Sequence, residues 1–326
     1  MVALVVGAGY IGAALAESLC AGGQDVVAFD NGFATDWPAL EALARRWGAS
    51  LRVHRGDLRD RNAVDSAFAA AGTVEVVFLL AAQASAHPDA APAEYTETTN
   101  LQGPRIVLDA AMRHGKPPVV YGSSFHVYGS GLTGAVDETR PYGRFRDLSH
   151  LSKVYVEKLG EMYAGLHGVG FAPVRLGIVY GVSPVTKRDL RFVTVPHAFC
   201  LRTLAGETLR VNPSGMSPIG FIHLDDAVSA LRCAASGLAY APANAVSEFA
   251  TAADVARTVR RVAQSRGYDV QIDVPEQPAV AHQTVPQVTS RLTETGWSPR
   301  RSLSESIDAI FDHYATTLGA AERHRT

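Results

Sequence analysis

VALVVGAGYIGAALAESLCAGGQDVVAFD, residues 2–30, decides the fold. Its first five residues are apolar and rich in valine, which marks a strand, and GAGYIG follows at once. Ile11, Leu15 and Leu19 then recur four apart, a spacing that puts them on one face of a helix laid against a sheet. VVAFD, residues 26–30, is a second strand ending on Asp30. In that context Gly7 and Gly9 let the chain turn tightly and bring backbone N–H groups close to a pyrophosphate. Tyr10 and Ile11 share that turn, and Gly12 lets helix and strand approach closely. Asp30 is placed to accept hydrogen bonds from adenosine ribose hydroxyls, with Asn31 next to it. A 2′-phosphate there would meet a carboxylate, so NAD is the expected cofactor rather than NADP. The alternative is a glycine turn that holds nothing; the strand, helix and acid around it weigh against that reading.

The alternation continues outward. Residues 39–47 read as a helix, LRVH (51–54) as a third strand, and VEVVFLLAA (74–82) as a strand apolar enough to be buried on both faces of a parallel sheet. A long helix spans 100–114, where Pro104 predicts a local irregularity. Strand PVVYGSS (118–124), helix DLSHLSKVYVEKL (147–159) and strand GFAPVRLGIVYG (170–181) follow. Beyond residue 183 the pattern loosens and proline is more frequent. The expected fold is α/β: an open, doubly wound parallel sheet with ligands outside the carboxyl ends of its strands, and a smaller α/β substrate-binding domain. The expected division is 1–176, with a return segment near 219–240, and 177–326.

Composition narrows the function. Hydrophobic residues make up 47% of the 326 and charged residues 19%, with a net charge of −2, so there is no basic footprint for nucleic acid. Cys20, Cys200 and Cys233 are scattered, with no C-x-x-C pair, and read as reduced thiols. No apolar run approaches a membrane span, and the amino terminus enters a strand rather than a signal peptide; the expected location is the cytoplasm. No His/Cys/Asp/Glu spacing fits a closed metal site, so no metal is expected. Neither Ser123 nor Ser124 sits in a G-x-S-x-G elbow, which sets serine-hydrolase chemistry aside.

YGSSFHVYG (121–129), followed by the helix that carries Lys153, resembles the active-site half of the extended short-chain dehydrogenase/reductases, the family of nucleotide-sugar epimerases and dehydratases. That family's pattern is Ser/Thr-x-x-Val-Tyr-Gly and then Tyr-x-x-x-Lys. Ser124, Val127, Tyr128, Gly129 and Lys153 match, but Ser149 stands four before the lysine, where the family has tyrosine. FIHLDD (221–226) and LTETGWSPRRSLSESI (292–307) resemble the family's later motifs, so the likeness covers nearly the whole chain. The resemblance implies a Rossmann fold that binds NAD, with Asp57 at the adenine edge, Leu58 packing the ring, and Ala81 and Ala82 beneath the coenzyme. Asp57 has a second reading as a helix N-cap. The resemblance also implies a homodimer through the helices at 100–114 and 149–166.

In that family tyrosinate removes an alcohol proton, lysine lowers the phenol pKa and binds the nicotinamide ribose, and Ser/Thr hydrogen-bonds the reacting oxygen. Ser124 and Lys153 take the last two roles. Serine is far less acidic than tyrosine and shorter by a ring, so three readings stay open: another group takes over, Ser149 relays protons through water, or redox chemistry is lost. His126 is the best substitute. It lies where family dehydratases and decarboxylases carry glutamate, and imidazole titrates near neutral pH; its other reading is a packed strand residue bonded to a carbonyl. His150 is weaker, being rotated about 100° from the Lys153 face of the helix. Tyr142 lies in the loop ETRPYGR, of a kind that can fold over a site, although a surface aromatic is the favoured reading; Tyr155 faces away, Tyr128 is positional and Glu138 structural. Gly177 and Ile219 replace an asparagine and an arginine that hold the substrate diphosphate in the family. Lys187, Arg188, Arg191, Arg202 and Arg210 are the cations available to replace them.

The leading expectation is an NAD-dependent enzyme that transiently oxidises a nucleoside-diphosphate sugar and then epimerises or eliminates. Two alternatives remain: a reductase or dehydrogenase of a non-nucleotide carbonyl or polyol, and a non-catalytic NAD-binding protein.

Overall fold

The computed structural model describes residues 2–85, 87, 89–145, 147–187, 189–237, 241–275 and 285–323. A seven-stranded sheet runs in the order Ala243–Ala245, Phe171–Leu176, Val119–Ser124, Val74–Leu79, Val2–Val6, Asp25–Asp30, Leu51–Arg55. Every neighbouring pair is parallel. The order reverses beside Val2–Val6, and such a reversal opens a crevice at the carboxyl ends of the strands.

Both faces of the sheet are covered because successive strand side chains point to opposite sides. Ala3 and Val5 join a core with Leu15 and Leu19 of the helix Tyr10–Ala21 and Leu231 of the helix Leu224–Gly237. Leu4 and Val6 join the opposite core with Phe68, Leu108 and Val156, from the helices Arg61–Ala71, Gly103–Arg113 and Leu148–His167. The irregularity expected at Pro104 takes the form of a π-type turn, Thr98–Gln102, immediately before the helix that has this proline in its first turn. The wider turn accommodates a residue that cannot donate a backbone hydrogen bond inside a continuous helical segment.

The smaller part holds a three-stranded sheet of Glu248–Ala250, Ile219–His223 and Ile178–Tyr180. Helices Val195–Leu204, Ala252–Ser265 and Leu303–Arg323 surround it, with Tyr180, Phe199, Val259 and Phe311 in one core. The two elements of the expected return segment, 219–240, divide between the sheets. Strand Ile219–His223 pairs within the small sheet, and only the helix Leu224–Gly237 packs back on the large one. The strand that completes the large sheet is Ala243–Ala245, beside Phe171–Leu176. No helix among the described residues is long and apolar enough to cross a membrane.

Candidate active site

The strand Val2–Val6 passes to the helix Tyr10–Ala21 through the glycine turn. A Cβ at Gly7 would stand 2.3 Å from Ala81 N, and one at Gly12 would stand 2.0 Å from Gly7 O, so neither position admits a side chain. At Gly9 a Cβ would meet Thr35 Oγ1 at 3.3 Å, a looser contact that leaves this face of the turn open to a ligand. The helix starts without a side-chain cap, so its first N–H groups remain available to an anion. Gly7, Gly9, Tyr10, Ile11, Gly12, Asp30, Asn31, Leu58, Ala81 and Ala82 all line one cavity of about 390 Å³, within the range of small-molecule sites. Asp57 and Lys153 stand outside its lining.

Burial raises the Asp30 carboxyl above its ordinary value, against the pull of the Gly32 N–H, which donates to Oδ1 at 2.7 Å. Asp57 is the reverse case. Burial would raise it, but hydrogen bonds from Arg59 and Asn31 outweigh burial and bring it to about 2. It is not the N-cap of the next helix; Asp60 is, accepting from Asn62 N at 2.9 Å. Leu58 fits because residue 103 is glycine: a Cβ there would lie 2.5 Å from Leu58 Cδ1. An uncapped helix start, an open Gly9 and an acid at the ribose distance fit a dinucleotide.

Ser124 ends the strand Val119–Ser124, and its hydroxyl lies 3.3 Å from His126 Nδ1 while accepting from His126 N at 3.2 Å. Lys153 is buried on the helix Leu148–His167, donates to Gly122 O at 2.7 Å and lies 4.9 Å over the Tyr121 ring. Burial lowers its amine to about 8, with Glu157 opposing. Ser149 is buried one turn earlier on the same helix.

His126 does not titrate near neutrality. Burial lowers it to about 4, the charge of His150 adds to the drop, and Asp147 opposes both. Nor is it a strand residue bonded to a carbonyl, since it sits in the 3₁₀ turn Phe125–Tyr128 with its ring against the Ser124 hydroxyl. His150 is not remote either: its ring stacks on that of His126 at 4.7 Å and 29°, and its Nδ1 lies 2.6 Å from Asp147 Oδ2. The rotation along the helix is as expected, but the turn at 125–128 reaches round to meet it. Tyr142 is no surface aromatic. Its hydroxyl donates to Glu157 Oε2 at 3.0 Å, inside a cluster where Arg175 meets Glu157 at 2.6 Å and Ser123 donates to Glu157 Oε1 at 2.5 Å. Tyr128 accepts from Arg175 at 2.6 Å, and Glu138 accepts from Asn244 N at 2.8 Å and Arg291 N at 2.9 Å, so both tie loops to the sheet.

Gly177 and Ile219 stand where the resemblance implies contacts to a substrate diphosphate. A Cβ at Gly177 would lie 2.9 Å from Gly220 O, so an asparagine there would displace the next strand. Among the cations considered, Arg191 is exposed and forked with Asp189 at 2.6 Å, Arg202 stands 4.0 Å from Glu207, and Arg210 is exposed. Arg188 lies outside the described residues. Lys187 lines the dinucleotide cavity instead, together with His197 and Tyr314, which no sequence pattern singled out. Tyr10 Oη donates to Gly181 O at 2.6 Å and lies 3.2 Å from His197 Nε2, whose Nδ1 is 2.9 Å from Tyr314 Oη. Partners more than a hundred residues apart leave no local periodicity to detect.

The doubly wound sheet with this glycine cradle defines a class of protein, the dinucleotide-binding α/β proteins. A model of the NAD dependent epimerase/dehydratase family matches residues 3–246. The UDP-glucose 4-epimerase of Bacillus subtilis is 34% identical over 178 residues, 55% of this chain and 52% of that enzyme. The UDP-N-acetyl-alpha-D-glucosaminuronate decarboxylase of Bacillus cytotoxicus is 30% identical over 228 residues, 69% of this chain and 67% of that enzyme. The chain spans about half the length of the curated epimerases it matches with 34% and 30% identity. The crystal structure of Thermus thermophilus UDP-glucose 4-epimerase in complex with NAD superposes with a TM-score of 0.78 at 26% identity, covering 97% of this chain and 99% of that one. The chain belongs to the NAD-dependent epimerase/dehydratase family.

Proposed function

We propose that this chain is an NAD-dependent nucleotide-sugar epimerase or dehydratase in which His126 does the proton work that a tyrosine does elsewhere in the family. The observation that carries the reading is the Ser124 hydroxyl 3.3 Å from a ring nitrogen of His126, at the carboxyl end of a central strand. Bound NAD, which the glycine turn and Asp30 would hold, would supply reversible hydride acceptance at a sugar carbon. Ser124 orients the sugar oxygen, and His126, neutral at pH 7, accepts the alcohol proton. Burial and the charge of His150 disfavour the resulting imidazolium, and the Asp147 carboxylate offsets part of that cost, while Lys153, charged for the most part at pH 7, holds the nicotinamide ribose. Ser149 is buried one turn before Lys153 on the same helix, where the family tyrosine would stand.

The activities named for the Bacillus relatives support a UDP-sugar substrate. The crowding at Gly177 favours the second reading, a reductase of a non-nucleotide carbonyl, because it removes a family phosphate contact. The proposed oligomer is a homodimer. Leu151, Tyr155, Met162 and Leu166 form an exposed apolar stripe along the helix Leu148–His167. The free thiols suit a reducing compartment, in keeping with the proposed cytoplasmic location. The test is incubation with NAD and UDP-sugars, with product stereochemistry read by NMR and melting temperature followed against UDP, dTDP, GDP, CDP and ADP. A sugar product formed without net NADH supports the epimerase reading. Net NADH oxidation with a simple carbonyl and no stabilisation by any nucleoside diphosphate supports the second.

A further inference from the structure

Lys187, Phe192 and Val193 follow the strand Ile178–Tyr180 of the small part of the molecule but line the dinucleotide cavity. Phe192 meets Phe33 edge-on at 6.1 Å, and Phe33 stacks on Tyr95 at 4.2 Å. Tyr95 is held in turn by Asn31 Nδ2, which donates to its hydroxyl at 3.0 Å, and by the Arg59 guanidinium 4.5 Å over its ring. The segment is pinned at both ends. Tyr314 Oη donates to Lys187 O at 2.8 Å, Ser85 Oγ donates to Arg191 O, and Arg191 donates to Asp89 O at 3.2 Å. Lys187, held at the first of these pins, lines the cavity together with Asp30. Each group feels the other's charge: burial lowers the Lys187 amine while Asp30 holds it up, and burial raises the Asp30 carboxyl while Lys187 draws it down. An ammonium has three donors, so one carboxylate neighbour leaves others free for a ligand.

We infer that Lys187 is a cofactor-binding residue: its ammonium faces Asp30 across the adenosine ribose and meets the adjoining phosphate, making Lys187 and Phe192 a clamp on the dinucleotide. The inference rests on the proposed NAD site and assigns it a second wall, contributed by the substrate-binding part. A cation there also softens the rejection of a 2′-phosphate by Asp30.

The experiment is calorimetric titration of the full chain with NAD, ADP-ribose and NADP, for the wild type, Lys187→Met and Lys187→Arg, with thermal melts to confirm folding. Loss of one charge-assisted hydrogen bond should weaken NAD and ADP-ribose equally, by about tenfold or more, in Lys187→Met. NADP should lose more than NAD, and Lys187→Arg should retain most of the affinity. Unchanged NAD affinity in a folded Lys187→Met protein overturns the inference alone. A loss confined to NAD and absent for ADP-ribose also overturns it, because it would place Lys187 at the nicotinamide end. If the wild type binds none of the three, the NAD site itself falls and the clamp with it.

Discussion

His126 combines a short contact to Ser124 with an environment that keeps its ring neutral, and this has two measurable consequences. If it is the base, the acid limb of kcat falls near pH 4 rather than near 6.5, and His126→Gln lowers kcat by about a hundredfold or more with little change in KM. The second consequence concerns stability. The folded value lies below the ordinary 6.5, so the unfolded chain binds more protons between pH 6.5 and 4. Stability is therefore complete above the unfolded value and falls as pH drops through that window, by up to about 3 kcal/mol for this group. His197, lowered by burial to about 3, acts in the same direction, so His126→Gln should reduce the pH slope of urea unfolding without abolishing it. Ser124, Lys153 and the glycine turn were legible because each belongs to a contiguous motif. The stack of His150 on His126 was not, since it depends on a 3₁₀ turn reaching a helix that begins twenty residues later.

At the scale of elements, the helix Leu148–His167 sets where Lys153 meets the strand Val119–Ser124. Asp147 caps its start by accepting from His150 N at 2.9 Å, and Gly168, at φ 66°, ends it in the left-handed conformation. Gly160 fixes its depth, because a Cβ there would lie 2.2 Å from Phe171 Cδ1 in the core. Gly160→Ala gains up to about 1 kcal/mol of helix propensity. Overpacking against Phe171 costs about 1–3 kcal/mol. The net expectation is a lower melting temperature and, as the helix lifts, weaker NAD binding; an unchanged melt would show that the ring can move aside. The alternating strands and helices were readable because apolar runs and four-residue spacing are local. The strand Ala243–Ala245 was not, because three residues reading ANA carry no periodicity and pair only through the backbone.

At the scale of the molecule, the exposed stripe on the helix Leu148–His167 gives the proposed homodimer a direct test. Leu166 is 71% exposed in the single chain, so Leu166→Glu should leave the monomer fold intact while moving the sedimentation coefficient from dimer to monomer. A wild-type monomer would leave the stripe without its proposed role. The seventh strand has a different consequence. The large sheet is finished by Ala243–Ala245, after the chain has already left to build the strands Ile178–Tyr180 and Ile219–His223 of the smaller one. During synthesis, then, the strand Phe171–Leu176 emerges well before its outer neighbour and waits as a bare edge, and bare edges pair with other chains. Gly177 N, which bonds Ala245 O at 2.9 Å, waits with it. A fragment ending at residue 176 should aggregate where the full chain stays in solution. On the ribosome, the large sheet becomes whole only after the first strands of the smaller one have been translated.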